Sequence, residues 1–318
     1  VSKKCYDYDG QEQISNGLRT SARFIVDMLL HEGHRAKLVE AVDGNSVDAL
    51  IDHYRPSRVV IEALWVTPEK MLELENLWPD VKWVVRIHSE IPFLANEGCA
   101  VEWIAEYLKQ GVHVAFNSLQ TADDFESLGK VGYLPNYYPL RKRRHPKPAD
   151  GELHIGCFGA VRPLKNQLIQ AFAAVKYAQQ AGKKLVFHMN GTRTEQNGAH
   201  NLKNIVALLR ATDNDLKLHP WLDHEDFLEL ISTMDMCLAV SLSESYCITA
   251  SDAVSMGTPL VGSDAISWLP KRSRADVDNT ESIVAAMDRA DATTVIMNAS
   301  YLEDYLQETV RTWNNWIK

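Results

Sequence analysis

The chain has 318 residues, 46% hydrophobic and 24% charged, and Lys+Arg 33 against Asp+Glu 42 leave a formal net charge of −9. At about 100–200 residues per domain this length admits two domains, and the composition excludes disordered, collagen-like and low-complexity classes. The charge excludes the global basic footprint of a dedicated nucleic-acid binder.

In chain order, short apolar runs alternate with amphipathic stretches. Leu18, Ala22, Ile25 and Leu29 fall at helical spacing, and Gly33 stops that helix. Residues 36–42 read as a strand, Val47, Leu50, Ile51 and Tyr54 as a helix stripe, and 59–64 as a buried strand. Thr67-Pro68 opens the next helix, with Pro at its first position. Residues 81–87 form a continuous apolar strand, 101–108 a helix ended by Gly111, and 112–116 and 131–134 strands around a helix near 121–128. Residues 139–150 break this texture with prolines, the cationic run Arg141-Lys-Arg-Arg144 and no periodicity, and read as a linker. The alternation restarts with strands over 154–159, 184–189, 216–219, 236–242 and 260–262. Helices over 166–181, 202–209, 224–234 and 248–256 lie between them, and a last helix covers 300–318. Repeated β-α units predict parallel sheets covered on both faces. The expected organisation is a Rossmann-like domain over 1–138, the linker 139–150, a second Rossmann-like domain over 151–299 and a C-terminal helix over 300–318. Trp313 and Trp316 read as core contacts of that helix.

No apolar stretch approaches the ~20 residues of a membrane span, and the N-terminus is neither a signal nor a transit peptide. Five cysteines without a CxxC pair point to free thiols in a reducing, cytoplasmic setting rather than to a disulfide framework. No His/Cys/Asp cluster has metal-ligand spacing, and neither GxGxxG nor a Walker loop occurs.

In open α/β sheets ligands bind beyond the carboxyl ends of the strands, so the loops after strands carry the chemistry. Phe158-Gly159-Ala-Val-Arg162-Pro-Leu-Lys165 follows the first strand of the second half. Gly159 permits a tight turn, and Arg162 and Lys165 supply a guanidinium fork and a point charge suited to a diphosphate. As mere solvated cations they would oppose the dipole of the helix that follows. The second loop is Ser241-Leu-Ser-Glu244-Ser-Tyr246-Cys247-Ile248, leading through Asp252 to Gly257-Thr-Pro259. Amides of 246–248 at a helix start form an anion site, and Glu244 and Asp252 flank it as acceptors for hydroxyls. Asn190-Gly-Thr-Arg193 reads equally as a pocket lining and as an ordinary turn. The bland reading of His88 is a core histidine at a strand end.

The Glu244…Asp252 block resembles the E-x7-E motif of retaining glycosyltransferases with the GT-B fold, especially family 4, with Asp in place of the second Glu. Arg162 and Lys165 resemble that family's diphosphate-binding pair at a narrower spacing. Asn16-Gly17, Gly33-His34, His88, Leu134-Pro135-Asn136 and His219-Pro-Trp221-Leu222 follow in the family's order. The resemblance implies two Rossmann-like domains facing each other across a cleft, with the C-terminal helix packing back on the first. It implies transfer of a sugar from a UDP- or GDP-sugar to an acceptor hydroxyl, with retention of configuration and no required metal or cofactor. The donor side is expected at Gly159, Arg162, Lys165, Asn190, Trp221, Leu222, Glu244, Tyr246, Cys247, Ile248 and Asp252. The acceptor side is expected at Asn16, Gly17, His88 and Glu90. Glu244, His88, Arg162 and Lys165 are the expected catalytic groups. The acceptor is a glycan, a lipid-linked sugar or a small molecule. Modified bases of phage DNA are a second option, because Arg141–Arg144 suit a polyanion: a DNA backbone or the inner face of an anionic membrane, where the protein would sit peripherally. A catalytically inactive sugar-nucleotide binder is the third. The family's first strand is expected to be cut short to Val1–Lys3, lacking a few leading residues.

Overall fold

The computed structural model describes residues 1–4, 17–141 and 150–318. The chain divides into two compact units, Val1–Pro139 with Leu306–Lys318, and Leu140–Tyr305. Asn16 and residues 142–144 of the cationic run lie outside the described residues.

The first unit runs β1 (Ser2–Lys3), α1 (Gly17–His31), β2 (Glu40–Ala41), α2 (Ser46–Tyr54), β3 (Arg58–Glu62), α3 (Pro68–Leu77) and β4 (Lys82–Ile87). It continues with α4 (Ile91–Leu94), α5 (Ala100–Gln110), β5 (His113–Phe116), α6 (Leu119–Phe125) and β6 (Gly132–Tyr133). Strands β3-β4-β5-β6 form a parallel sheet, and β1-β2 a separate pair. The apolar runs of β3 and β4 build its core: Ile61, Val85 and Ile87 pack with Met71, Leu74, Ile104 and Tyr107. Thr67 caps α3 by accepting from the Lys70 amide, and Gly111 ends α5 at φ 87°. The strand expected over 36–42 shrinks to β2, because its partner β1 offers a register of only two residues.

The second unit runs β7 (Leu153–Gly156), a 3₁₀ turn (Pro163–Lys165), α7 (Gln167–Ala181), β8 (Leu185–Asn190), α8 (Gly198–Ala211) and β9 (Asp215–His219). Then come α9 (His224–Ser232), β10 (Met236–Ala239), α10 (Ile248–Ser255), β11 (Leu260–Gly262), a second 3₁₀ turn (Lys271–Ser273), α11 (Thr280–Asp288) and α12 (Ala292–Ile317). Its parallel sheet has the order β11-β10-β7-β8-β9. The chain leaves β7 toward β8 and β9 and then returns to β10 on β7's other side. The loops after β7 and β10 therefore open side by side at a topological switch point. The strand expected over 236–242 stops at Ala239, because the Val240 amide turns to Gln170 Oε1 and the Leu242 amide to the Leu164 carbonyl. Helix α11 is absent from the sequence reading, although Asn279, which accepts from the amides of Glu281 and Ser282, is an N-cap signal.

The last turns of α12 pack on the first unit. Trp313 is 1% exposed in a cluster with Ile25, Met28, Leu29, Val84, Ala115 and Leu134, and its Nε1 donates to the Pro135 carbonyl at 2.9 Å. Among the described residues no helix is long and apolar enough to cross a membrane.

Candidate active site

The switch point of the second unit gathers the charged residues singled out in the sequence. Gly159 follows β7 at φ 116°, its amide donating to Asn190 Oδ1 at the end of β8 (2.8 Å). A Cβ there would meet the Lys165 stem at 3.5 Å, so the turn leaves room for that side chain. Lys165 Nζ reaches across the switch point to Glu244 Oε1 at 2.5 Å, with side-chain exposures of 13% and 7%. Burial disfavours both charges, but each is outweighed by the partner: Lys165 holds the Glu244 carboxyl below the ordinary carboxylate range, and Glu244 holds the Lys165 ammonium above its own. The pair is ionised at neutral pH.

Arg162 carries a different carboxylate. Its Nη1 lies 3.3 Å from Glu195 Oε2, and Glu195 Oε1 accepts from Arg193 Nε at 2.6 Å. Glu195 sits in the loop between β8 and α8, a residue the sequence reading passed over. Both cations expected for a diphosphate thus come with an acid, a counter-charge that motif spacing does not reveal.

Helix α10 opens beside Glu244. Ala250 and Ser251 amides bond to the Cys247 carbonyl, so Ile248 and Thr249 present amides ahead of the first intrahelical bonds. Cys247 holds φ 67°, an uncommon left-handed conformation for a side-chain-bearing residue. Burial, and then the charge of Glu244, push its thiol up to about 11, so it stays protonated. Tyr246 is buried, its hydroxyl accepting from Ser251 Oγ at 2.9 Å, so this side chain supports the loop. Asp252 is 1% exposed, and its Oδ1 lies 2.7 Å from His224 Nε2. His224, the first residue of α9, therefore stands at the acid expected to meet the ribose; the sequence held no sign of it beyond a histidine at a helix start. Trp221 is 38% exposed after β9, with the Arg193 guanidinium over its ring at 5.0 Å, and Leu222 is partly buried.

Below this edge, three histidines cross one face of the sheet. His154 Nδ1 lies 2.9 Å from His188 Nε2, and His188 Nδ1 lies 2.9 Å from His219 Nε2. The register pairs Gly156 with His188 and Asn190 with His219, so the chain of rings climbs two residues per strand towards the carboxyl edge. His154 Nε2 meets Asp150 Oδ2 at 3.0 Å. Burial first, then the neighbouring His219 and His154 rings and Lys217, push His188 down to about 3, so it stays neutral. Sequence spacing suggested no metal-type cluster, yet Asp150, Glu152 and His154 bring ligand atoms within 4.8 Å of one another. Alternation in and just before β7 puts these i, i+2, i+4 side chains on one face.

In the first unit, His88 follows β4 and is held by protein. Its Nε2 lies 2.5 Å from Glu62 Oε2, and its Nδ1 is 3.4 Å from Asn117 Nδ2. Arg86 Nη1 lies 3.1 Å from the same Nε2 and can only donate, but the shorter contact to the carboxylate takes an Nε2–H, which leaves Nδ1 to accept from Asn117. Arg86, fully buried, donates to Glu62 Oε2 (2.9 Å), to the Leu134 carbonyl (2.8 Å) and to Asn136 Oδ1. Burial opposes the Glu62 charge, but Arg86 and then His88 hold its pKa at about 2. Burial and Arg86 push His88 below its ordinary value. The buried charges of β3 and β4, Glu62 and Arg86, are the signal in the sequence that the reading missed. Glu90 accepts from Thr121 Oγ1, and Gly17 is exposed at the start of α1. Arg141, the described member of the cationic run, is spoken for: it pairs with Glu225 and exchanges backbone bonds with Ser255 Oγ.

Residues 152–296 match the family model of group 1 glycosyl transferases, a stretch containing Gly159, Arg162, Lys165, Glu244 and Asp252. No curated protein matches the sequence. Among solved structures, the chain is similar to α,α-trehalose 6-phosphate synthase from Burkholderia multivorans (TM-score 0.66, 11% identity, 99% of this chain and 84% of that one). It is similar to sucrose-phosphate synthase from Thermosynechococcus elongatus (0.65, 15%, 86% and 76%). A trehalose-6-phosphate enzyme from E. coli, bound with UDP-2-fluoro glucose, also matches (0.63, 12%, 86% and 76%). The fold is GT-B.

Proposed function

We propose that this chain is a retaining glycosyltransferase that takes a sugar from a nucleoside-diphosphate donor and places it on an acceptor hydroxyl. The observation that carries this reading is the buried Lys165–Glu244 pair at the switch point, beside the start of α10 and within the stretch that matches the group 1 glycosyl transferases. In the reaction the bond from the sugar's anomeric carbon to the diphosphate oxygen breaks, its electron pair leaving with that oxygen, a bond to the acceptor oxygen forms, and the acceptor hydroxyl passes its proton to the departing diphosphate. The charge left on the diphosphate is what the protein must stabilise. Lys165, Arg162 and the leading amides of α10 are fixed in place before the reaction, which is the form electrostatic catalysis takes. Glu244, ionised beside Lys165, takes the sugar's hydroxyls as acceptor, and Asp252 with His224 takes the ribose. His88, kept neutral by burial and by Arg86, stands on the acceptor side. The charge work falls on side chains and amides, so the reading needs no metal, and a UDP- or GDP-sugar is the donor. Arg141 is engaged within its own unit, so a glycan, lipid-linked sugar or small molecule is preferred over DNA as acceptor.

The test is a screen of nucleotide sugars for product and for hydrolysis, read by mass, with and without added chelator. One donor should turn over, with chelator making no difference and the product keeping the donor's anomeric configuration. Glu244→Ala should lower kcat more than it raises the donor KM, and Arg162→Ala should harm both. Nucleotide binding without turnover of any donor would replace the enzyme by a sugar-nucleotide binder.

A further inference from the structure

The loop between β8 and α8, residues 191–197, is built as part of the nucleotide site. It is stapled to the Arg162 segment by backbone bonds: the Val161 amide donates to the Arg193 carbonyl, and the Glu195 amide to the Val161 carbonyl, both at 2.9 Å. Gly198 lets the two segments meet, since a Cβ there would sit 1.8 Å from the Val161 carbonyl oxygen. The placement of Glu195 is therefore set by backbone pairing. Its two oxygens serve two guanidiniums, Arg193 at 2.6 Å and Arg162 at 3.3 Å, while Arg193 also lies over the Trp221 ring at 5.0 Å. Glu195 is 28% exposed and Arg193 35%, so the carboxylate is reachable by an incoming anion.

One carboxylate bridging two arginines has the form that one phosphate of a diphosphate would take there: two oxygens, two forks, opposite charge. Arg193 links that position to the aromatic ring after β9. We infer that Arg193 is a nucleotide-binding residue and that Glu195 is a displaceable counter-ion, which holds Arg162 and Arg193 in position and yields them to the donor's diphosphate. The inference rests on the donor site proposed above. It adds that the empty site is charge-compensated, and that donor affinity is set by competition between an acid of the chain and the phosphates.

Glu195→Gln keeps the shape and removes the competing charge. Binding of UDP, GDP and ADP is measured by calorimetry for the wild type, Glu195→Gln and Arg193→Ala, with uridine, guanosine and adenosine as phosphate-free controls. A partly exposed pair of about 0.2–1 kcal/mol corresponds to roughly 1.4- to 5-fold. Glu195→Gln should bind the preferred diphosphate tighter by about that factor, with a steeper loss in salt, and its nucleoside unchanged. Arg193→Ala should bind the diphosphate more weakly. Unchanged or weaker diphosphate binding by Glu195→Gln overturns the counter-ion, and unchanged binding by Arg193→Ala overturns that residue's role. Failure of the wild type to bind any of the three diphosphates overturns the donor site itself, a different result from binding that Glu195→Gln leaves unmoved.

Discussion

Lys165 and Glu244 are two buried charges that need each other. Removing one strands the other, and breaking a buried pair costs about 3–5 kcal/mol, while replacing both by neutral groups costs far less. Glu244→Gln alone should therefore lower stability in urea unfolding by an amount of that order, as well as turnover. The double variant Lys165→Met with Glu244→Gln should recover most of the stability and none of the turnover. If stability and turnover recover together, the pair serves the fold and not the reaction. At this scale the sequence told what kinds of residue stand at the switch point, since Gly159, Arg162, Lys165 and Glu244 sit in two loops after strands. It did not tell who pairs with whom. Glu195, 33 positions from Arg162, and His224, 28 from Asp252, meet them only through the sheet.

At the scale of elements, strands β7, β8 and β9 hold a row of three histidines with a neutral ring, His188, at its centre. His188 is pushed down from 6.5 to about 3, so in the native state it resists a proton that the unfolded chain accepts. The stability this provides is whole above pH 6.5 and drains as pH falls towards 3, at most about 1.4 kcal/mol per pH unit. His188→Phe should narrow the difference in unfolding free energy between pH 7 and pH 5 by about 2 kcal/mol at most. An unchanged difference would mean that the ring is protonated in the fold. Glu62 behaves with its own window: the stability from its ionised form is present above 4.5 and lost towards pH 2. Helix α8 supplies a steric check, since Gly198→Ala drives a methyl into the Val161 carbonyl and should cost about 1–3 kcal/mol in chemical unfolding. Elements with continuous apolar runs, such as β4 and β8, were readable from the chain alone. Strands β2 and β6 fall inside the ranges 36–42 and 131–134 but are shorter, because a two-residue ladder has no periodicity to mark its ends. The histidine row was hidden for another reason: positions 154, 188 and 219 are related by register, and register is not written in local sequence.

At the scale of the molecule, one helix serves both units: α12 begins in the unit Leu140–Tyr305, and its residues from Leu306 on count with the other. Trp313 fills the core of the first unit, so Trp313→Ala should cost about 3–5 kcal/mol. Limited proteolysis should then release peptides of residues 17–139 before those of 150–305. Simultaneous release would mean that the two units unfold as one. The two-part organisation was legible because a proline-rich cationic stretch interrupts the β-α rhythm, whereas the return of the last helix was implied only by the resemblance to the GT-B family. The boundary of the return was not, because nothing in an unbroken 26-residue helix marks where it changes neighbours.

That returning helix sets the order in which a nascent chain can be completed. Pro135 and Trp313, joined by a hydrogen bond, are 178 positions apart. A ribosome adding about 5–20 residues per second leaves the first-made unit waiting roughly 10 to 35 s for its last core side chain. Through that interval the groove beneath Trp313, lined by Ile25, Met28 and Leu29, is open to any apolar surface in the cell. The half of the protein that is synthesised first is the half that matures last.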